Sequence, residues 1–193
     1  MHIYAGTHKN KKLIAPKGQL TRPTTGRLRE TLFNICQAAI EEAHFLDLFA
    51  GSGAMGIEAL SRGAKDAIFI DNSKESLRCV EQNLRQLGLE KQAQVLFGDV
   101  FSWLAKLAKQ PRKFNLIYAD PPYDLWTYSK GDRLSFSTRL LKLIDEHDLL
   151  LPSGMLFIED SSSSQPDPIP LQNLQLKSSR SIGRSVLQQY LKI

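Results

Sequence analysis

Cysteine is scarce in this chain, with only Cys36 and Cys79 among 193 residues. Two thiols so far apart, without metal-ligand spacing, exclude a disulfide-stapled scaffold and a cysteine metal site. They fit reduced structural thiols in a cytoplasmic protein. Long hydrophobic runs are missing too. Nothing approaches the roughly 18 apolar residues that span a bilayer, so no membrane partner is expected. Met1-His2-Ile3-Tyr4 shows no apolar signal-peptide region. Acid is rare at one end: residues 1–30 hold Lys9, Lys11, Lys12, Lys17, Arg22, Arg27 and Arg29 against Glu30 alone. That segment carries +6, and the other 163 residues carry −1. A neutral body with a basic arm points to a polyanion partner. The bland alternative is a solvated tail. Against it, Ile3, Tyr4, Leu13 and Ile14 are interleaved with the charges, so the arm is expected to fold.

What is present suffices for one ordinary domain. Hydrophobic residues make up 42% and charged residues 23%, enough for a normal core. His2–Ala5 and Lys12–Ala15 read as two short strands of a hairpin, followed by an extended linker to Pro23. The spacing of Leu28, Leu32, Ile35 and Ala39 predicts a helix from about Thr24 to Ala43, capped by Thr24 or Thr25. Phe45–Phe49 is an apolar run suited to a buried parallel strand. Gly51-Ser52-Gly53 breaks it, and Ala54–Leu60 resumes as a helix. Strand and helix then alternate. Strands are expected at Ala67–Ile70, Gln94–Phe97, Leu116–Ala119 and Met155–Glu159. Between them lie helices with stripes such as Leu77, Val80, Leu84 and Leu87. Asn72 with Glu75 resembles a capping box. Asp124–Ser137 reads as irregular, Pro152-Ser153-Gly154 as a turn, and Ser161–Pro170 as a loop. Leu174–Ser179 and Ser185–Leu191 flank Gly183 as a closing hairpin. The pattern means an α/β fold: a doubly wound, mainly parallel sheet with an antiparallel edge.

Three motifs carry chemistry. Gly51-Ser52-Gly53-Ala54-Met55-Gly56 matches G-x-G-x-x-G, and Asp71 stands 20 residues after Gly51 at the end of the next strand. A carboxylate there can take both hydroxyls of an adenosine ribose. The match does not select a dinucleotide over other adenosine ligands. Asp47, just before the turn, is badly placed for a pyrophosphate and reasonable for an ammonium group. Asp99, after Gly98, suits an adenine amino group and also a helix N-cap. The third motif is Asp120-Pro121-Pro122-Tyr123. Its prolines hold the backbone extended and remove two N–H donors, leaving bare carbonyls beside a carboxylate and an aromatic ring. That set suits a planar base bearing an exocyclic amine. In a doubly wound sheet the first and fourth strands meet where strand order reverses, so the glycine turn and Asp120 should face each other across one cleft.

These motifs together look like class I methyltransferases that use S-adenosylmethionine and act on exocyclic amines. More narrowly, Arg22-Pro23-Thr24, Arg27, Arg29-Glu30-Thr31-Leu32-Phe33-Asn34 and Leu46–Ala64 resemble the RsmD family, which methylates a guanine N2 of bacterial 16S ribosomal RNA in the small subunit. The likeness is dense to about Ala64 and thins after Tyr123. Asp124–Ser137 is longer than the family's linker, and Arg184 stands where the family has an acid. The resemblance implies a seven-stranded Rossmann-like sheet with an N-terminal hairpin extension. Residues 1–23 would be an RNA-contacting arm and 24–193 the methyltransferase domain. It implies S-adenosylmethionine held by Asp47, Gly51, Ser52, Gly53, Asp71, Asn72, Asp99 and Val100, without a metal. The flipped guanine would be held by Asp120, Pro121, Pro122 and Tyr123. Lys9, Lys11, Lys12, Arg22 and Arg27 would contact RNA phosphates. The expected partner is 16S ribosomal RNA, within the small subunit or an assembly intermediate, met by a monomer. Three other readings stand beside this one. A DNA adenine-N6 methyltransferase shares D-P-P-Y but needs a sequence-reading domain. An NAD-dependent oxidoreductase leaves D-P-P-Y and the arm unexplained. A non-catalytic RNA-binding assembly factor has no need for the acids.

Overall fold

A computed structural model describes residues 1–16, 26–122, 126–129, 132–161 and 169–193, with backbone alone for 126–129 and 132–133. Its centre is a seven-stranded sheet. In chain order the strands are β1 (His44–Leu48), β2 (Asp66–Asp71), β3 (Ala93–Phe97), β4 (Phe114–Ala119), β7 (Leu150–Ser161), β8 (Leu174–Ile182) and β9 (Ser185–Lys192). A separate pair, β5 (Trp126–Ser129) and β6 (Asp132–Ser135), is antiparallel. Across the sheet the order is β3-β2-β1-β4-β7-β9-β8. The first five of these run parallel and β9 enters antiparallel between β7 and β8. Strand order reverses between β1 and β4, as a doubly wound fold requires.

Side chains alternate across this sheet and build two cores. Phe45, Ala67, Phe69, Leu116, Tyr118, Phe157 and Leu187 face one side, packed with α1 (Gly26–Ile35), α2 (Ala54–Ser61) and α3 (Lys74–Leu87). Leu46, Leu48, Ile68, Ile70, Ile117, Ala119, Leu156 and Ile158 face the other, under α4 (Val100–Leu107) and α5 (Phe136–Glu146). The period of two along each strand sorts the residues, and burial on both faces explains why the strands read as continuous apolar runs.

The arm belongs to the first core. Ile3 and Leu13 are buried in it. The arm's backbone folds back on itself through Ile3 N–H to Lys11 O (3.0 Å) and Leu13 N–H to Met1 O (2.9 Å). Only His2 and Lys12 form a ladder bridge, so the two expected strands reduce to a single bridged pair. Hydrogen bonds from the body replace the missing ladder. Glu58 of α2, fully buried, accepts from the N–H groups of Tyr4 (2.9 Å) and Ala5 (3.0 Å) and from Arg62 Nε (2.9 Å). Ser61 accepts from His8 N–H (3.0 Å) and donates to Ala5 O (2.7 Å).

Several boundaries differ from the sequence reading. The first helix ends at Ile35, with a 3₁₀ turn at Gln37–Ala39 and Glu42 at φ 56°, because the chain must reverse to feed β1. The expected caps Thr24 and Thr25 lie outside the described residues. Ser73, not Asn72, caps α3, its hydroxyl accepting from Ser76 N–H at 3.2 Å. Asn72 is left exposed at the strand end. Asp124–Ser137 contains the β5–β6 pair and the first two residues of α5. Pro152-Ser153-Gly154 lies inside the long β7, whose register against β4 shifts between Phe114 and Leu116 and absorbs the irregularity. The Ser161–Pro170 loop lies largely outside the described residues. Leu174–Ile182 and Ser185–Lys192 form the closing hairpin about Gly183, at φ 64°.

A buried carboxylate that satisfies two backbone amides and a guanidinium is costly to remove. Glu58→Ala should lower unfolding free energy by about 3 kcal/mol. It should also strip hydrogen-exchange protection from the Tyr4 and Ala5 amides. Unchanged protection at those two amides would show that the arm is held by its apolar residues alone.

Candidate functional site

The site grows from the turn between β1 and α2. Phe49 sits at φ 60°, unusual for a residue with a side chain, and Gly51 and Gly53 follow at φ 54° and 77°. Backbone strain of this kind is held only where the surroundings over-determine it. Here each neighbouring element pins a different peptide group. Gly51 N–H donates to Asp71 Oδ2 at the end of β2 (2.8 Å). Gly53 N–H donates to Ala50 O (2.8 Å). Ser52 O accepts from Asn83 Nδ2 of α3 (3.1 Å), and Gly56 N–H donates to Asp47 Oδ2 of β1 (2.9 Å).

The glycines divide the work. A Cβ at Gly56 would lie 2.3 Å from the Phe69 ring, so this glycine lets α2 settle against β2. A Cβ on Gly51 would meet nothing within 4 Å. The turn is therefore tight beneath and open above, and a ligand can approach the Gly51 backbone from that open side.

The acids play different parts. Asp71 uses both oxygens on backbone amides, Oδ2 on Gly51 and Oδ1 on Ser73 (2.8 Å each), which fixes its carboxylate at the strand end. A carboxylate offers about four lone-pair positions, so acceptor capacity remains for hydroxyls. Asp99 caps α4, Oδ2 accepting from Ser102 N–H and Oγ (2.8 Å each), and is exposed at the end of β3 with Val100 buried behind it. Asp47 departs from its expected place near an ammonium group. It is 1% exposed and lies beneath the turn, on the Gly56 amide. Burial pushes its carboxyl from 3.8 up to about 8, against the opposing effect of the Gly56 hydrogen bond and with a further push from Asp71. Covered in this way, the carboxyl is held toward its neutral form and frames the turn from below.

On the other lip, Asp120 follows β4 directly. Leu48 pairs with Ala119, and Asp120 N–H reaches on to Leu48 O at 3.4 Å. Asp120 and the Phe49–Gly51 turn thus leave adjacent parallel strands at the same level. Asp120 is half-buried, Pro121 buried and Pro122 exposed. Tyr123 lies outside the described residues.

The arm's cations are only partly gathered. Lys9 and Lys11 are exposed on either side of Asn10, which adopts φ 66° in the turn of the hairpin, and Lys12 is exposed on the bridged pair opposite His2. Arg27 is exposed at the start of α1, and Arg22 lies outside the described residues. Sequence reasoning gave no role to Glu58 or Asn83, and took Arg29 only as one of the arm's charges and part of the family likeness. Arg29 is 1% exposed, with its guanidinium 4.7 Å over the Tyr4 ring. Its Nε and Nη1 have no hydrogen-bond partner among the described residues. A polar residue on an apolar helix face was the available signal for Glu58 and Asn83.

Comparison with known proteins gives this geometry relatives. The profile of a family described as "Conserved hypothetical protein 95" matches residues 1–191. The chain is 40% identical over 159 residues to "Putative rRNA methyltransferase YlbH" of Bacillus subtilis, covering 82% of each chain. It is 31% identical over 170 residues to "Ribosomal RNA small subunit methyltransferase D" of Escherichia coli, covering 88% of this chain and 79% of that one. Among solved structures, "Putative methyltransferase yhhF from Escherichia coli" superposes with a TM-score of 0.80 at 29% identity, over 100% of this chain and 97% of that one.

The raised Asp47 carboxyl has a pH signature. An unfolded chain loses this proton near pH ~4, whereas the fold keeps it to about 8. The contribution to stability is full below the lower value and is lost as pH rises toward the higher one. Asp47→Asn keeps an acceptor for Gly56 N–H and cannot ionise. Urea unfolding should therefore show the variant gaining on the wild type between about pH 5 and pH 8. A stability difference that is flat with pH would mean that Asp47 ionises normally.

Proposed function

This chain belongs to the family described as Conserved hypothetical protein 95, the RsmD family, and is a methyltransferase by that membership; we propose that it methylates the exocyclic N2 of a guanine in 16S ribosomal RNA, with S-adenosylmethionine as donor. One observation carries the reading. The open glycine turn and Asp120-Pro121-Pro122 leave β1 and β4 side by side at the point where strand order reverses. A cofactor on one lip then faces a base on the other.

The residues fit the donor. Gly51, Ser52 and Gly53 offer a close-approach backbone surface, Asp71 and Asn72 stand where ribose hydroxyls would lie, and Asp99 with Val100 lies at the adenine end. Bound there, S-adenosylmethionine supplies an electrophilic methyl group on a positively charged sulfur. Guanine N2 is a weak nucleophile because its lone pair is delocalised into the ring. Asp120 and the Pro121 carbonyl, accepting its two N–H groups, favour a pyramidal nitrogen with the lone pair free. The Asp120 carboxylate stabilises positive charge as it develops on that nitrogen and is available for the released proton. Tyr123 would stack on the base, which must leave its own stack to enter.

An anionic partner is supported by charge. Lys9, Lys11 and Lys12 are exposed, and residues 1–29 contain no acid. Lys9, Lys11, Lys12, Arg22 and Arg27 would neutralise phosphates around the target. The rRNA methyltransferase names of the relatives support the same substrate class.

Labelled S-adenosylmethionine offered with naked 16S RNA, assembled small subunits or duplex DNA tests this directly. Label should enter RNA as N2-methylguanine, and label in DNA alone would overturn the reading. Asp120→Ala should cut methyl transfer by at least about 100-fold while cofactor affinity stays within a few-fold. A large loss of cofactor binding would mean that Asp120 serves the cofactor and not the base. Replacing Lys9, Lys11 and Lys12 by Gln should weaken RNA binding and flatten its dependence on salt. An unchanged salt slope would remove the arm from the interface.

A further inference from the structure

Asn83 stands between the arm and the cofactor turn. Its carboxamide is fully buried on α3 and makes three hydrogen bonds. Oδ1 accepts from Ile14 N–H at 2.8 Å, and Nδ2 donates to Ile14 O at 2.9 Å and to Ser52 O at 3.1 Å. The Ile14 pair fixes which end of the amide is oxygen. Only a carboxamide supplies one acceptor and two donors from one planar group. Asp lacks the donors, and an apolar residue would strand three buried backbone groups.

What lies on either side gives this bridge its meaning. On one side is the peptide between Ser52 and Gly53, whose carbonyl is held by Asn83 and whose N–H is held by Ala50 O. That peptide lies within the turn assigned above to the cofactor. On the other side is Ile14, two residues after Lys12 in the arm that carries Lys9, Lys11 and Lys12. A second thread runs in parallel, with Ser52 Oγ donating toward Met1 Sδ at 3.5 Å. Elsewhere the arm is bonded to Glu58 and Ser61, on the helix that the turn itself begins. The docked arm and the ordered turn are therefore one state of the backbone.

We propose that Asn83 is a positioning residue that couples the two substrates: RNA on the arm and cofactor on the turn each strengthen the other's binding by favouring this docked state. The inference rests on the methyltransferase reading above. The coupling is positive because both ligands select the same arrangement, and it is reciprocal because it is a difference in binding free energy.

The test measures linkage in the full chain. S-adenosylhomocysteine, which does not turn over, is titrated by calorimetry with and without a saturating 16S RNA transcript. The wild type should bind it about 5-fold or more tightly in the presence of RNA. Asn83→Leu should bind it more weakly and show no such gain. Ile14→Pro removes one N–H from the arm's side and leaves Asn83 and Ser52 in place. It should keep cofactor affinity closer to the wild type while losing most of the gain, and it serves if the Asn83 variant does not fold. A general loss of packing would lower both affinities and leave their ratio unchanged. A wild type that binds S-adenosylhomocysteine equally with and without RNA overturns the coupling alone, as does an unchanged gain in a folded variant. A wild type that binds no S-adenosylhomocysteine overturns the functional reading and the coupling with it.

Discussion

The peptide groups of one short turn are held by side chains from three different elements, and the site depends on that restraint. Asp47 from β1, Asp71 from β2 and Asn83 from α3 each take a different group between Gly51 and Gly56. Without them the strained backbone at Phe49 and the left-handed turn through Gly51 and Gly53 would have little reason to persist. A backbone fixed in advance costs nothing to order when a ligand arrives, and this is the thermodynamic value of building the site on the ends of strands. Two of the three holding groups are carboxyls with different environments. Asp71 stands at the carboxyl end of β2, fixed by two backbone amides, whereas Asp47 lies within β1 and is held by burial toward its neutral form.

The sheet supplies the second half of the site at little extra cost. β4 lies beside β1 because the strand order reverses there, and the ladder continues one residue past β4 through Asp120 N–H. Pro121 and Pro122 then end the pairing on both sides of β4, since neither has an N–H to offer. The chain leaves the sheet with the carboxylate of Asp120 close behind the last ladder bond. A rigid strand end placed in this way positions an acceptor more narrowly than a loop could.

The arm changes character when its bonds are followed. A basic segment with few acids reads as a tail, and a hairpin by itself is marginal. This one has almost no ladder of its own. Its apolar residues enter the main core, and its backbone is satisfied by Glu58, Ser61 and Asn83. Its three exposed lysines are thus mounted on the same helices that frame the glycine turn. Rigid mounting fixes the distance between these lysines and the cleft, which a free tail could not do.

How much of this was legible in the sequence depended on whether a residue acts locally. The glycine turn, Asp71 at the end of β2, the alternating strands and the closing hairpin could all be read, because each leaves a local pattern of period or punctuation. Errors fell where tertiary contacts overrule propensity. The apolar spacing from Leu28 to Ala39 continues past Ile35, but the chain must turn to enter β1, so the helix stops. Asn72 and Ser73 are both good caps, and one residue of register decides between them. Pro152-Ser153-Gly154 looks like a turn, yet a register shift carries β7 through it. The long-range polar contacts were least visible. Asp47 was read as a ligand group because it precedes the glycines, and nothing in the sequence showed that it would be covered. Asn83 is 69 residues from Ile14 and 31 from Ser52, so no window of neighbours contains its partners. The one local hint is a carboxamide beside Val80 and Leu84 on a buried helix face. Such a residue must find three backbone groups or destabilise the fold, and the groups it finds belong to the arm and the turn.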